Sequence, residues 1–311
     1  MPEIPAEPEA KDGKVKGDPR LQPFPEDNEH PDALAAWLVK HSLNTIAAIG
    51  PGAKEAWPKI VQLIEIHPDV WTRKAAVDAL KGIGPIKEAQ APLINALDDP
   101  ERDVRGKSAV ALNAYGPEAE PTVEALCKIV ADPQEQGWAR GAAIKTLGDI
   151  GSLKAVDSLV ELFIHVRPDD EKSSERKPAA EALGKIIAAQ KGGGPKAVRR
   201  DIEDVLLSVI NEKTTYKDMD LQVKCVEVLV NMGAGAEHLP AIEKIGDALF
   251  MIAEQHSPQQ DDQPVDHHRR IGALEDKSGE QLYIAEMQNR LEAAARNVRT
   301  AIREKERGGR Q

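Results

Sequence analysis

Val77-Asp78-Ala79-Leu80-Lys81-Gly82-Ile83-Gly84-Pro85 and Ala109-Val110-Ala111-Leu112-Asn113-Ala114-Tyr115-Gly116-Pro117 are two copies of one phrase. An earlier copy is Leu43-Asn44-Thr45-Ile46-Ala47-Ala48-Ile49-Gly50-Pro51, and a later one is Ile144-Lys145-Thr146-Leu147-Gly148-Asp149-Ile150-Gly151. The closing glycines, Gly50, Gly84, Gly116 and Gly151, stand 34, 32 and 35 residues apart. Self-similarity at such a period marks a stack of supersecondary units, each covering the apolar face of the last. Aligned on the glycines, Ser42, Ala76, Ser108 and Ala143 share a column. Leu43, Val77, Ala109 and Ile144 form the next; Ile46, Leu80, Leu112 and Leu147 follow three residues on, and Ile49, Ile83, Tyr115 and Ile150 three beyond. That spacing is one face of an α-helix. The glycine ends the helix, and a following proline cannot extend it.

A second helix is expected after each turn: Trp57 to Ile66, Ala89 to Leu97, Pro121 to Ala131 and Lys154 to Val166. Asp99-Pro100, Asp132-Pro133, His67-Pro68 and Arg167-Pro168 close the units, because proline disfavours helix at the residue before it. The pattern recurs at Ala179, Ala180, Leu183 and Ile186, then at Cys225, Val226, Leu229 and Met232, with insertions at Lys191–Pro195 and Asn211–Asp220. The expectation is an all-α chain: an α-α superhelix (α-solenoid) of about six helical hairpins over 32–255. Residues 1–31 hold seven prolines and many charges. They are expected to be a disordered leader, from which Leu21 and Phe24 reach the first repeat. Residues 256–280 read as a polar linker. Residues 281–311 read as an amphipathic helix striped by Ile284, Met287, Leu291, Ala294, Val298 and Ile302, with a basic tail. Three roles are open to that helix: capping the last repeat, self-association through a near-heptad stripe, or docking elsewhere.

Composition narrows the function classes. Aromatics are only 3 % while alanine and leucine carry the apolar content, which favours helix over strand. The net charge of −11 repels phosphate backbones, so nucleic acid is not the expected partner. No apolar run reaches membrane-spanning length, and Met1–Pro8 lacks the chemistry of a secretory signal. Cys127 and Cys225 sit in apolar helical stretches and read as buried thiols of a reducing compartment, so a cytoplasmic location is expected. No cofactor is expected. The Asp266-His267-His268 cluster lacks helical ligand spacing and a third ligand.

Val104-Arg105 with Ser108-Ala109, Leu112 and Gly116, and Asp69-Val70-Trp71-Thr72-Arg73, resemble HEAT repeats, particularly the sub-type of phycobilisome-lyase-like proteins. The resemblance covers roughly 34–255. It implies paired antiparallel helices in a right-handed superhelix with second helices on the concave side. It does not imply one activity. Deoxyhypusine hydroxylase, a HEAT-fold enzyme, carries His-Glu pairs; this chain has eight histidines and no such dipeptide. The resemblance implies a ladder for Arg73, Arg105, Arg140 and Arg176, which align three residues before the small-residue column; Val39 and Gln222 replace them in the end units. Asp69, Asp103 and Asp132 are the expected acceptors, and the ladder is read as structural.

The leading functional reading is a non-catalytic scaffold that binds another protein through the second helices, at Trp57, Lys59, Gln62, Asn95, Lys128 and Glu161. The alternative is a lyase or isomerase acting on a bilin or other small molecule. Trp71 and Trp138, each two residues before a ladder arginine, read as packing residues.

Overall fold

The computed structural model describes residues 31–135, 137–165, 175–212, 215, 218–233, 235–255 and 267–308. The described residues are helical throughout the array, with no strand among them. First helices are α1 (Pro31–Ile49), and later members of the same series. Its partner second helix is α2 (Trp57–Ile66). The pairs continue as α3 (Val70–Ile83) with α4 (Gln90–Asn95), α5 (Arg102–Asn113) with α6 (Val123–Ala131), and α7 (Trp138–Ile150) with α8 (Val156–His165). They end with α9 (Arg176–Ala189) and α10 (Lys196–Asn211), then α11 (Met219–Asn231) and α12 (Leu239–Gln255). Each first helix packs on the first helices before and after it. The expected six hairpins, shingled in chain order, are present.

Local chemistry sets the boundaries. Asp69 caps α3, its Oδ2 accepting the Thr72 N–H at 2.8 Å, which satisfies an otherwise orphaned donor. Gly151 closes α7 in the left-handed conformation, φ 76°, and returns its N–H to the Leu147 carbonyl. The second helix Trp57–Ile66 has the expected bounds, whereas the next two are shorter than expected. The 89–97 expectation resolves into α4 flanked by two 3₁₀ turns, and Pro121 falls in a 3₁₀ segment ahead of α6. Prolines in or beside these segments remove donors that a longer α-helix needs.

The periodic columns form one continuous core. Val77, Ala109 and Ile144 are buried, as are Leu80, Leu112 and Leu147. Small residues in the first helices allow close approach: a Cβ on Gly82 would lie 2.6 Å from the Ala47 carbonyl oxygen, and one on Gly148 would lie 2.7 Å from Ala182 Cα. Tyr115 ties neighbouring units, its hydroxyl donating to the Ile86 carbonyl at 2.9 Å.

The last element, α13, runs His267–Gly308. Its start corrects the linker expected over 256–280: the run Arg269–Glu275 is rich in good helix formers, and Gly272 and Gly279 lie within the helix. Residues 256–266 and the leader, except Pro31 at the start of α1, lie outside the described residues. α13 packs on α11 and α12 and buries Ile284, Met287, Leu291, Ala294 and Val298 against them. Arg290 reaches Glu227 at 2.6 Å and Asp220 at 2.9 Å.

Candidate functional site

Three ladders of polar contacts brace the first helices. The arginine column is the most buried. Arg73 clasps Asp99 with Nε at 2.8 Å and Nη2 at 3.0 Å, and donates to the carbonyls of His67 and Pro68. Arg105 meets Glu135 at 2.6 Å and the carbonyls of Asp99 and Pro100. Arg140, only 3 % exposed, meets Glu175 at 2.9 Å and the carbonyls of Asp132 and Glu135. Arg176, 2 % exposed, grips Glu212 through two bonds of 3.0 and 2.6 Å. Each guanidinium of the first three thus ties the loop before its helix to the loop after its own hairpin. Such forked contacts hold relative orientation as well as position.

Of the expected acceptors only Asp132 serves the arginine ladder, and through its carbonyl. Asp69 is a helix cap, Asp103 pairs with Lys74 at 2.5 Å, and Asp132 gives Arg140 its backbone carbonyl. The carboxylates used are Asp99, Glu135, Glu175 and Glu212, each 26 to 36 residues downstream of its arginine. They follow the second helix of the same hairpin, and that position is the signal in the sequence that finds them. Gln222 closes the series by donating to the carbonyls of Val209 and Glu212.

A second ladder runs along the N-terminal ends of the first helices. At four described junctions the residue after one ladder position meets the residue two before the next. Lys40 lies over the Trp71 ring, Lys74 pairs with Asp103, Gly106 makes room for Trp138, and Lys177 pairs with Asp220. The third joins Lys107 to Asp78 at 2.5 Å and Lys224 to Glu181 at 3.4 Å. Arg290 on α13 takes Glu227, the position that a further first helix would address in the third ladder, and also Asp220, which Lys177 already holds. α13 therefore stands in for the first helix of a seventh unit.

The second helices present a different surface. Gln62, Asn95, Lys128 and Glu161 are spaced 33 residues apart and all are exposed, forming one row across α2, α4, α6 and α8. Lys59 is exposed beside the row and donates to Gln62 Oε1 at 3.3 Å. Lys128 makes a loose pair with Glu124 at 3.6 Å. Trp57 departs from the expectation. It is half-buried against the core, in a column whose next member, Gln90, is also half-buried and whose last two, Val123 and Val156, are buried. Trp57 therefore leaves the candidate surface. Trp71 and Trp138, expected to pack, are 62 % and 52 % exposed. Burial pushes the Cys225 thiol up to about 12 and raises that of half-buried Cys127, so both are poor nucleophiles. No group of metal ligands occurs among the described residues, and no described helix is long and apolar enough to cross a membrane.

Comparison with known proteins agrees with the repeat geometry. Residues 57–138 and 91–184 match the family described as HEAT repeats. Residues 57–184 are therefore HEAT repeats. Solved structures of similar fold include the archaeal HEAT-like repeats protein of Thermococcus onnurineus, at 14 % identity and TM-score 0.48, covering 86 % of this chain and 100 % of that one. A designed armadillo repeat protein aligns at 18 % identity and TM-score 0.47, covering 78 % and 99 %. The complex of CpcE and CpcF of phycocyanin lyase from a Nostoc species aligns at 16 % identity and TM-score 0.39, covering 87 % and 99 %. No curated protein matches the chain in sequence. HEAT arrays commonly mediate protein interactions.

Proposed function

We propose that the protein is a non-catalytic scaffold that binds a partner protein along its second helices. The observation that supports this reading is the row Gln62, Asn95, Lys128 and Glu161: exposed, polar, and repeated at a constant 33 residues on four successive hairpins. None of the four bonds to another hairpin through a contact described above, whereas the first helices are cross-braced at every step. A surface held that firmly loses little entropy when it docks. The mixed amide, cationic and anionic character suits a folded protein rather than a polyanion. Lys59 extends the row on α2, and in the family geometry these helices line the concave side.

The test is affinity capture with the intact protein, read by mass spectrometry, beside a variant carrying Gln62→Ala, Asn95→Ala, Lys128→Ala and Glu161→Ala. A specific protein recovered with the parent and lost from an equally stable variant is the expected result. Recovery of a bilin or another small molecule in place of a protein would replace the scaffold with the lyase or isomerase reading.

A further inference from the structure

Trp37 on α1 and Trp71 at the start of α3 line a shallow depression of about 290 Å³, completed by Lys40 and Asp69. Trp71 keeps 62 % of its surface exposed, and Trp37 stacks on His41 with 3.8 Å between ring centres. The charges around the depression are unequally engaged. Asp69 Oδ2 is occupied by both the N–H and the hydroxyl of Thr72. Lys74, 4.1 Å from the Trp71 ring centre, is paired with Asp103. Lys40 lies 5.7 Å from the same ring and pairs with no carboxylate of a described residue. The depression is thus aromatic, shallow, and left with one unmatched cation.

Aromatic-lined grooves of this kind take polyproline II strands. The strand is low in entropy before it binds, and pyrrolidine rings pack on flat indole faces. The chain carries such a segment outside the described residues. Pro2, Pro5 and Pro8 are three apart, so at three residues per turn they fall on one edge. Glu3, Glu7 and Glu9 lie among them, and no cation does. The segment connects through residues 10–30 to α1, which begins at Pro31, less than two turns before Trp37. About 20 residues can reach at most roughly 70 Å, so the connection is long enough to bring the segment to the cleft.

We propose that the Trp37–Trp71 cleft is a polyproline-binding site and that its occupant is the chain's own Pro2–Glu9 segment, with the carboxylates beside Lys40. This surface lies on the first helices and does not depend on the second-helix row.

The full chain labelled with 5-fluorotryptophan tests it. Four resonances arise from Trp37, Trp57, Trp71 and Trp138, each assigned by a single Trp→Phe variant. Replacing Pro2→Ala, Pro5→Ala and Pro8→Ala together should move the Trp37 and Trp71 resonances and leave the other two in place. Coincident spectra, or movement confined to Trp57 and Trp138, would overturn the assignment; a cleft that serves a foreign proline-rich segment gives that silent result.

Discussion

Gly141 and Gly148 stand two turns apart on α7 and answer to opposite demands. No described residue lies within 4 Å of a Cβ built on Gly141, whereas one on Gly148 would sit 2.7 Å from the Ala182 backbone of the next first helix. Gly141→Ala should raise stability by about 0.4–1 kcal/mol, because it restricts the unfolded chain without a clash. Gly148→Ala should lower it by about 1–3 kcal/mol, because two helices must part. Thermal melts of the two variants check the opposite signs. The arginines offer a second contrast. Arg140→Ala strands the Glu175 carboxylate, itself nearly buried, and should cost about 3–5 kcal/mol. Lys128→Ala removes an exposed, loose pair and should fall within about 0.5 kcal/mol of the parent. The arginine column was readable from spacing alone. Its acceptors were not, because spacing along one helix cannot show which loop of the following hairpin folds back over it.

The amphipathic stripe of α13 was legible as a face in search of a cover. What it covers was not, since Arg290 finds its partners 63 and 70 residues earlier in the chain. Burial alone would raise the carboxyl pKa of both Asp220 and Glu227; hydrogen bonds from Lys177 and Arg290 to the first, and from Arg290 and Lys224 to the second, outweigh it and leave both lowered. A carboxylate whose folded pKa lies below its unfolded value stabilises the fold above roughly pH 4 and loses that contribution as the pH falls further. Protection of α13 amides from hydrogen exchange should therefore drop below about pH 4, and Arg290→Ala should flatten the dependence. An unchanged profile in that variant would mean that the clasp contributes nothing to docking. The second helices show the other limit of reading by period. Gln62, Asn95, Lys128 and Glu161 were legible as polar positions and share one exposed row in the structure, but a tryptophan at a helix start looks the same whether its column faces solvent or core. Only the buried Val123 and Val156 reveal where Trp57 belongs.

Stability in a stacked array is close to a sum over neighbours. α1 has a first-helix neighbour on one side and Val39 in place of a ladder arginine; α7 has neighbours on both sides and the buried Arg140. Native-state hydrogen exchange should rank α1 well below α7, and denaturant unfolding should depart from a single cooperative step. Uniform protection along the chain would contradict nearest-neighbour bracing. The ladder at the N-terminal ends of the first helices carries one more implication. Its four described junctions are of three kinds: a cation on an indole, two lysine–aspartate ion pairs, and a hollow filled by a ring. A hairpin transplanted between unlike junctions would bring the wrong half of a lock to the seam, as when Asp103 is set against Gly106 in place of Trp138. The sequence of units is in this way self-addressed, and shuffled permutations of the same six hairpins should assemble poorly even though every one keeps its core.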